Sequence, residues 1–512
     1  MGPAVMHTLF SRVYVYDAAQ DRAMYGPTDV LVQGQHDGAI GQQARTLFEA
    51  QPGGEEIDGG GDHLLIRGLI YAHFHSPANH LKGSLPSLPL ELFMLYESPS
   101  DPALKPTPRE AYLRTMLAAL EMLRSGTTSV QDDAFLMPCP TPEIIDAVMQ
   151  AYADCGIRAT VALDQPELPE IDKLPYIAEG ANPALLAALK APPAMDRDGL
   201  LGMYAYLLQR WHGAENGRLR AATSVSAPQR VSVEYFHALD ELSQSHGIPL
   251  YAHMLETKLQ RTLATEQSRF AGRSLVQYTA DLGLLSPRMN IIHAVWVDDF
   301  DLELIARAGS TIVHNPNSNL RLGSGVAPYR RMLDFGIPVA LGSDEAICDD
   351  AANLWSVVKT AGLIHNISGL DSTRWPSARE ILNSLWQGGA AAMLRSSDLG
   401  VAQERALADL TLLDLHSPAF TPFNDLRGQL VYCEAGNSVK LTMVDGRIVY
   451  RDGRICSLDE QALLAEAREL FADKLPRIER ARAEAKSLHS SYQAMQRRAA
   501  AANVGINRWL GS

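Results

Sequence analysis

The sequence has 512 residues, of which 46% are hydrophobic, and a net charge of −14 at pH 7. This length suits one large α/β domain with additions, or two to three domains. The negative charge argues against nucleic acid or an anionic membrane surface as the main partner.

The five cysteines are scattered and form no CxxC pair. This argues against a disulfide framework or a cysteine zinc site. The sequence opens without a signal-peptide pattern, and no later stretch reaches 18 uninterrupted apolar residues. We therefore expect a soluble cytoplasmic protein.

The first strands are predicted at 8–17 and 28–34, where short alternating segments are separated by turn residues. The segment 63–75, HLLIRGLIYAHFH, is almost continuously apolar. We expect it to form one strand that is buried on both faces of a parallel sheet.

Predicted strands and helices then take turns. This alternation indicates βα units and a parallel sheet, and about eight units over roughly 330 residues favour a (β/α)8 barrel over an open sheet. The predicted helices are 110–126, 142–156 and 232–247, and the predicted strands are 127–133, 157–164, 219–227, 248–257, 289–297, 309–316 and 337–344.

Two regions depart from this alternation. The Pro-rich segment 164–200 is either a variable surface insertion or a lid over the barrel mouth. Beyond residue 400, short β segments are expected to pair with the N-terminal strands, and helices broken near Pro476 are expected at 458–503. The predicted β segments are 407–415, 429–435, 439–446 and 447–453.

The expected fold is therefore α/β, a (β/α)8 TIM barrel with a small β-sandwich domain built from both chain ends. The predicted division is residues 1–65 and 401–456 for the β-sandwich, 66–400 for the barrel and 457–512 for a C-terminal helical extension.

Polar residues close several predicted barrel strands. His73 and His75 end the first strand, His253 and His293 lie late in two others, and Asp344 ends the last. Catalytic residues of such barrels come from the C-terminal ends of strands, and residues two apart share one face. Any one of them alone could be an ordinary rim residue, but four strands with the same feature predict one site.

Three imidazoles and a carboxylate suit Zn²⁺, or Fe²⁺, with one position left for a water molecule. Zinc lowers the pKa of such a water toward 7. Glu256 lies three residues after His253, just past the strand end. We expect Glu256 to carry a proton from that water to the substrate; the alternative is an exposed loop glutamate.

The motifs GLIYAHFH, HMLET, IIHAVW, VHNPNSNLRLGSGVAPYRRMLDFGIPVALGSD and VKLTMVDGRIVYRDGR together resemble the amidohydrolase superfamily. The branch they resemble contains the cytosine, guanine and S-adenosylhomocysteine deaminases and the s-triazine hydrolases. The resemblance covers residues 8–455 and leaves out the C-terminal helices.

This resemblance implies roles for individual residues. His73, His75, His253 and Asp344 would bind one divalent metal, and Glu256 would be the proton shuttle. His293 would orient the attacking water or polarise the leaving side, and Asp344 would also accept a proton from that water.

The number of metal ions is predicted from the absence of a lysine on the middle barrel strands. Members with two metals carry a carboxylated lysine on a middle strand, and neither 219–227 nor 157–164 offers one. One metal per chain is therefore expected. The Asn residues of HNPNSN are expected to shape their loop rather than touch substrate, because Asn favours such turns.

The substrate is weakly encoded. Phe93 stands where purine deaminases of this branch have a tryptophan, and a Pro-Gln-Tyr segment typical of guanine deaminases is absent, so guanine is not favoured. Candidate substrate contacts, each of which also suits a structural role, are Phe93, Tyr96 and Leu92 as an apolar wall, Gln229 or Arg230 as polar contacts, and His293.

The predicted function is a metal-dependent aminohydrolase that attacks an amino-bearing carbon of an N-heterocycle with metal-activated water. The alternative is hydrolysis of a urea, amide or carbamate C–N bond, or dechlorination or dealkylamination of a triazine-like ring. A third possibility is a metal-binding scaffold that has lost catalysis. The expected partners are a small-molecule substrate and, from the resemblance, a second copy of the chain in a homodimer, with no nucleic acid or membrane.

Overall fold

The computed structural model describes residues 7–18, 24–98, 104–401 and 405–510. The predicted boundary between residues 400 and 401 adjoins 402–404, which lie outside the described residues, as do the first six residues. Within the described ranges, no helix has both the length and the apolar character that crossing a membrane requires.

Along the sequence, the barrel strands are preceded by strands of the N-terminal region and followed by strands of the C-terminal region. The strands are β1 His7–Val15, β2 Tyr25–Gln33, β3 His36–Ile40, β4 Glu55–Asp58, β5 His63–Arg67, β6 Leu69–His75, β7 Thr127–Ala134, β8 Arg158–Leu163, β9 Leu219–Ala221, β10 Thr223–Ser224, β11 Leu250–Met254, β12 Met289–His293, β13 Thr311–His314, β14 Val339–Leu341, β15 Asp344–Glu345, β16 Leu410–Asp414, β17 Val439–Val444, β18 Arg447–Arg451 and β19 Arg454–Ile455.

The barrel is built from two parallel sheets with the strand orders β15-β6-β7-β8-β9 and β10-β11-β12-β13-β14. Two barrel strands are each interrupted once, between β9 and β10 and between β14 and β15, so ten segments make eight strands. The pairing of β15 with β6 closes the ring. Every residue of β6, β7 and β8 is buried, as expected for strands covered on both faces.

The helices follow the strands around the barrel and end in a C-terminal pair. They are α1 Gln42–Glu49, α2 Leu90–Glu97, α3 Pro108–Arg124, α4 Pro142–Cys155, α5 Ile177–Gly180, α6 Pro183–Leu189, α7 Arg197–Trp211, α8 Ala214–Gly217, α9 Val233–His246, α10 Lys258–Glu266, α11 Leu275–Asp281, α12 Asp299–Ala308, α13 Pro316–Arg321, α14 Tyr329–Asp334, α15 Ala346–Asp349, α16 Leu354–Ile364, α17 Ala378–Asn383, α18 Gly389–Ala392, α19 Leu426–Tyr432, α20 Glu460–Ala485 and α21 His489–Ala501.

A nine-stranded sheet joins the two chain ends. Its strand order is β19-β18-β17-β16-β5-β1-β2-β3, with β4 beside β1. Apolar residues from both ends, among them Phe10, Val32, Leu412 and Met443, form one buried cluster. This shared cluster holds the chain ends together beside the barrel.

The segment 63–75 is two strands rather than the single strand predicted. β5 pairs with β16 in the sheet of the chain ends, and β6 pairs with β7 in the barrel. The chain passes between the sheets at Gly68, where an added Cβ would lie 2.1 Å from Thr128 Cγ2. The continuous run of apolar residues correctly predicted that this segment is buried. It could not show that the first half pairs in one sheet and the second half in another.

Two predictions for the C-terminal region are wrong. Residues 429–435 were expected to be a β segment, but helix α19 occupies most of them, and the Asp425 side chain caps its start by accepting from Gly428 N. The extension was expected to break near Pro476, but α20 continues through that residue, and the interruption comes at Lys486–Leu488.

The insertion and the extension both pack over the barrel mouth. Leu174, Ile177 and Leu185 of the insertion form a buried cluster with Leu259 of α10 and Met495 of α21. The insertion therefore covers the ends of the strands, which favours the lid among the two predicted alternatives.

Candidate metal centre and active site

Four predicted metal ligands meet at the C-terminal ends of the barrel strands. His73 Nε2 lies 3.2 Å from His253 Nε2 and 3.4 Å from Asp344 Oδ1, and His75 Nε2 lies 3.2 Å from the same Asp344 oxygen. Ligands around a tetrahedral zinc with bonds of about 2.0–2.1 Å are roughly 3.3–3.4 Å apart. The four side chains are therefore already spaced to hold one small divalent cation.

Backbone carbonyls orient two of these imidazoles. His75 Nδ1 lies 2.5 Å from the Asp133 carbonyl oxygen, and His253 Nδ1 lies 2.7 Å from the Ser226 carbonyl oxygen. Because a carbonyl only accepts, each Nδ1 carries a proton and each Nε2 faces the centre.

Against the effect of burial, the Asp344 carboxylate raises the pKa of His75 well above its usual range, so a bound cation would displace a proton from His75 Nε2. Burial lowers the pKa of His73 to about 3, so this ring is neutral. This donor set fits Zn²⁺ or Fe²⁺.

Glu256 and His293 lie beside the four ligands. Glu256 Oε2 is 3.7 Å from His293 Nε2. Glu256 Oε1 and His293 Nε2 are buried and have no hydrogen-bond partner among the described residues. Burial, and then the charge of Asp344, raise the pKa of Glu256 well above its usual range. Glu256 can therefore hold a proton in the site.

Two asparagines fix the proton on His293. Asn319 Nδ2 donates to His293 Nδ1 at 3.0 Å, and Asn315 Nδ2 lies 3.5 Å from the same nitrogen. Burial lowers the pKa of His293 well below its usual range, so the ring is neutral. Since Nδ1 accepts, Nε2 carries the proton and can donate to an oxygen in the site. These asparagines were predicted to shape their loop, and the contact with His293 was not predicted.

Asp344 is held on both of its oxygens. Oδ1 faces His73 and His75, while Oδ2 accepts a 2.7 Å hydrogen bond from Ser318 Oγ and lies 3.8 Å from His293 Nε2. Ser318 belongs to the same HNPNSN stretch as the two asparagines. Ser318 was not predicted as a site residue, although its place in that motif was a usable signal.

The backbone around the site is strained. Ser226, Leu255, His293 and Asp344 all have positive φ, between 55° and 75°. Non-glycine residues rarely adopt this region, and such strain clusters where side chains must be aimed at a ligand. Gly342 serves the same end, because an added Cβ would lie 2.9 Å or less from the His73 backbone N and O.

The predicted substrate contacts divide into two groups. Phe93, Gln229, Arg230 and His293 line a cavity of about 90 Å³ at the metal centre. Leu92 and Tyr96 are not among the described residues that line it. The Tyr96 hydroxyl lies 2.8 Å from His489 Nδ1 of the C-terminal extension.

Sequence reasoning missed other residues of this cavity. Lys173 and Leu174 bring the insertion to its wall. Glu91 also lines it, and accepts hydrogen bonds from Gln496 Nε2 of α21 and, at 3.5 Å, from Thr257 Oγ1 beside Glu256. No local pattern marks these residues, since tertiary packing alone brings them to the site.

Comparison with known proteins gives matches over most of the chain. Residues 64–449 match the model of the amidohydrolase family. A 5-methylthioadenosine/S-adenosylhomocysteine deaminase of Nitratidesulfovibrio vulgaris is 32% identical over 81% of this chain and 87% of its own length. A 5'-deoxyadenosine deaminase of Methanosarcina mazei is 30% identical over the same shares of the two chains.

Solved structures show the same fold. An adenosine deaminase from Xanthomonas campestris with bound zinc has a TM-score of 0.77 at 23% identity, over 93% of this chain and 99% of that one. A triazine hydrolase from Arthobacter aurescens has a TM-score of 0.79 at 24% identity, over 91% and 99% of the two chains.

Proposed function

The chain belongs to the amidohydrolase family, and we propose that it is a zinc-dependent deaminase of a substituted adenosine. Its general class follows from the family: the protein is a metal-dependent aminohydrolase, a hydrolase of non-peptide C–N bonds that acts on an N-heterocycle. The adenine ring is suggested by the two relatives, which are named for deamination of adenosine derivatives.

The observation that carries the proposal is the position of Glu256 and His293 beside the four ligand side chains. A zinc ion held by His73, His75, His253 and Asp344 would lower the pKa of a coordinated water toward 7 and so supply a nucleophile at neutral pH. We assign one such ion per chain, because the four ligand atoms converge on one point.

The chain's own residues move the protons. Glu256 takes a proton from the attacking water and delivers it to the ring nitrogen next to the amino-bearing carbon. His293 Nε2–H donates to the oxygen that adds to this carbon, where negative charge develops. Asp344 Oδ2 accepts the second water proton, which leaves with the amino group as ammonia. Water oxygen thereby replaces nitrogen on the ring.

The proposal extends to the organisation of the chain. We assign residues 66–400 to the catalytic barrel, 1–65 and 401–456 to the domain of the chain ends, and 457–512 to the extension. We also propose a homodimer in the cytoplasm; sedimentation at several protein concentrations tests the dimer, and metal analysis tests the stoichiometry of one zinc per chain.

Ammonia release by zinc-loaded protein is the test of function. The panel contains adenosine, 5'-deoxyadenosine and 5'-methylthioadenosine, then guanine, a pterin, a cytosine and an aminotriazine. Chlorotriazines and aryl ureas are followed by loss of the parent compound. We expect ammonia from the adenosines; release from another ring class alone, or loss of a triazine or urea alone, would contradict the proposal.

A variant separates catalysis from metal binding. Glu256→Gln removes the proton carrier and leaves the four ligands, so we expect zinc content to stay near one per chain while kcat falls at least about 10²-fold. If wild-type protein binds zinc but turns over nothing in the panel, the metal-binding scaffold replaces the deaminase.

A further inference from the structure

A second cavity opens beside the metal centre. The inner cavity, which is lined by the predicted ligands His75, His253 and Asp344, has a volume of about 90 Å³, and the outer cavity has a volume of about 350 Å³. Four residues line both cavities: His75, Glu97, Phe135 and Glu345. The two cavities therefore meet directly beside the metal ligands.

The two cavity volumes indicate that one substrate occupies both cavities. Sites for small molecules usually measure about 300–1,000 Å³, so the inner cavity alone is too small for more than a ring. Only a substrate that also enters the outer cavity fills the site. The outer cavity then receives the part of the substrate that is not attacked.

The outer cavity is mainly apolar. Leu81 and Ala111 contribute from the barrel loops and α3, and Ile478 contributes from α20 of the extension. All three side chains are buried. The carboxyl groups of Glu97 and Glu345 lie where the two cavities meet, but most of the outer wall is apolar and favours an apolar group.

Arg114 is one of three lysine or arginine side chains among the described residues that line the outer cavity; the others are Lys105 and Lys474. Arg114 lines the cavity, and its Nε is buried with no hydrogen-bond partner among the described residues. The nearby carboxylate of Glu110 forms an ion pair with Lys474 instead. Burial lowers the pKa of Arg114 to about 10, so it remains charged at neutral pH.

A buried guanidinium N–H without a partner is costly, and an anion from outside the protein would offset that cost. We propose that the outer cavity binds an apolar substituent of the substrate that ends in an anionic group held by the Arg114 guanidinium. This rests on the proposed function only for the ring in the inner cavity, because binding in the outer cavity requires no turnover.

Fragments without a ring test the proposal. Calorimetry on zinc-loaded protein would compare octanoate and octyl phosphate with the neutral octanamide. We expect at least one anion to bind about tenfold or more tightly than the amide, since a charge-assisted hydrogen bond to Arg114 is lost in the amide. Equal binding of all three probes would overturn the proposal, whatever the deaminase assay shows.

Two arginine variants locate the bound anion. Arg114→Met should abolish the preference for the anion, whereas Arg109→Met should keep it. Arg109 lies on the same helix, but its half-exposed guanidinium pairs with Glu466. An anion bound by the metal would keep its preference in Arg114→Met and would also overturn the proposal.

The wild-type comparison of anion with amide remains decisive if Arg114→Met does not fold. In that case Arg114→Lys, which keeps the charge, should retain the preference for at least one anion. Loss of a wild-type preference in folded Arg114→Lys would show that the positive charge at this position does not hold the anion.

Discussion

The protonation of His293 is set by Asn319, a residue that does not line the cavity at the metal centre. The amide N–H of Asn319 reaches Nδ1 at 3.0 Å, so the neutral ring carries its proton on Nε2, which faces Glu256 and Asp344. A neutral donor at this position is useful because negative charge develops on the attacking oxygen.

Asn319→Asp should create a new pH dependence. A carboxylate beside Nδ1 raises the pKa of His293, which burial holds well below its usual range in the wild type. Below the raised pKa both ring nitrogens carry protons; above it the proton stays on Nδ1 and Nε2 loses its donor. We therefore expect kcat to fall as pH rises, with a loss of about 10²-fold at the alkaline end.

A pH–rate profile from pH 5.5 to 9 checks this expectation. Asn319→Leu is the matched control, because it removes the amide without adding a charge and should lower kcat without adding an alkaline limb. Identical profiles for the two variants would show that the charge state of His293 does not control the rate.

Individual residues of the site were predictable where a polar side chain lies at the end of a buried strand. His73, His75, His253, His293 and Asp344 all end buried apolar runs, and the order of strands in a barrel brings such ends together. Tyr96 shows the limit of this reasoning, because helix α2 turns its hydroxyl toward the extension and away from the metal centre.

At the scale of elements, the C-terminal extension contacts the loops that carry the site. Arg508 donates to the carbonyl oxygens of Val295 and Val297 just after β12, and Lys258 of α10 donates to the Ala500 carbonyl. The Trp509 indole donates to Gly323. The extension thus makes hydrogen bonds to loops that follow several barrel strands, including the loop after His293.

The sequence predicted the helices of the extension but not their position. Their Ala, Glu and Arg content indicates helix, while docking depends on single long-range contacts such as Lys474 with Glu110. Helix α19 is a second example. Its apolar run was predicted to be β structure, but the residues form a helix whose start is capped by the Asp425 side chain. Local patterns cannot encode these tertiary partners.

Gln496→Ala tests whether the extension supports the site. Gln496 donates to the buried carboxyl group of Glu91, whose other oxygen accepts from Thr257 next to Glu256. Loss of this donor leaves Glu91 under-satisfied, so we expect kcat/KM to fall about tenfold. Steady-state kinetics on the best substrate gives the measurement.

Gln493→Ala is the control for that variant. Gln493 lies on the same helix and accepts from Arg497, a residue of its own helix, so kcat/KM should stay within about twofold. Equal effects of the two substitutions would mean that α21 acts only through general packing.

At the scale of the molecule, a buried ion cluster joins the barrel to the sheet of the chain ends. Arg158 at the start of β8 donates to Asp409 at 2.7 and 3.1 Å and to Asp445 at 3.0 Å. The three side chains are at most 5% exposed. β8 runs from this cluster toward the metal centre, where Asp164 follows its last residue.

Arg158→Met should destabilise the whole chain and leave the chemistry of the site intact. The substitution leaves two buried carboxylates without their cation, and breaking a buried pair in this way costs about 3–5 kcal/mol. Because the cluster lies a full strand length from the metal ligands, kcat of the folded variant should stay within about twofold of wild type.

Urea unfolding and kinetics on the same preparation decide this last expectation. Arg307→Met is the control, since Arg307 forms an exposed i,i+4 pair with Glu303, and its removal should change the unfolding free energy by less than about 0.5 kcal/mol. Equal stability of the two variants would mean that the Arg158 cluster does not stabilise the junction between the barrel and the sheet of the chain ends. A large fall in kcat for Arg158→Met at full stability would instead connect this end of β8 to the metal centre.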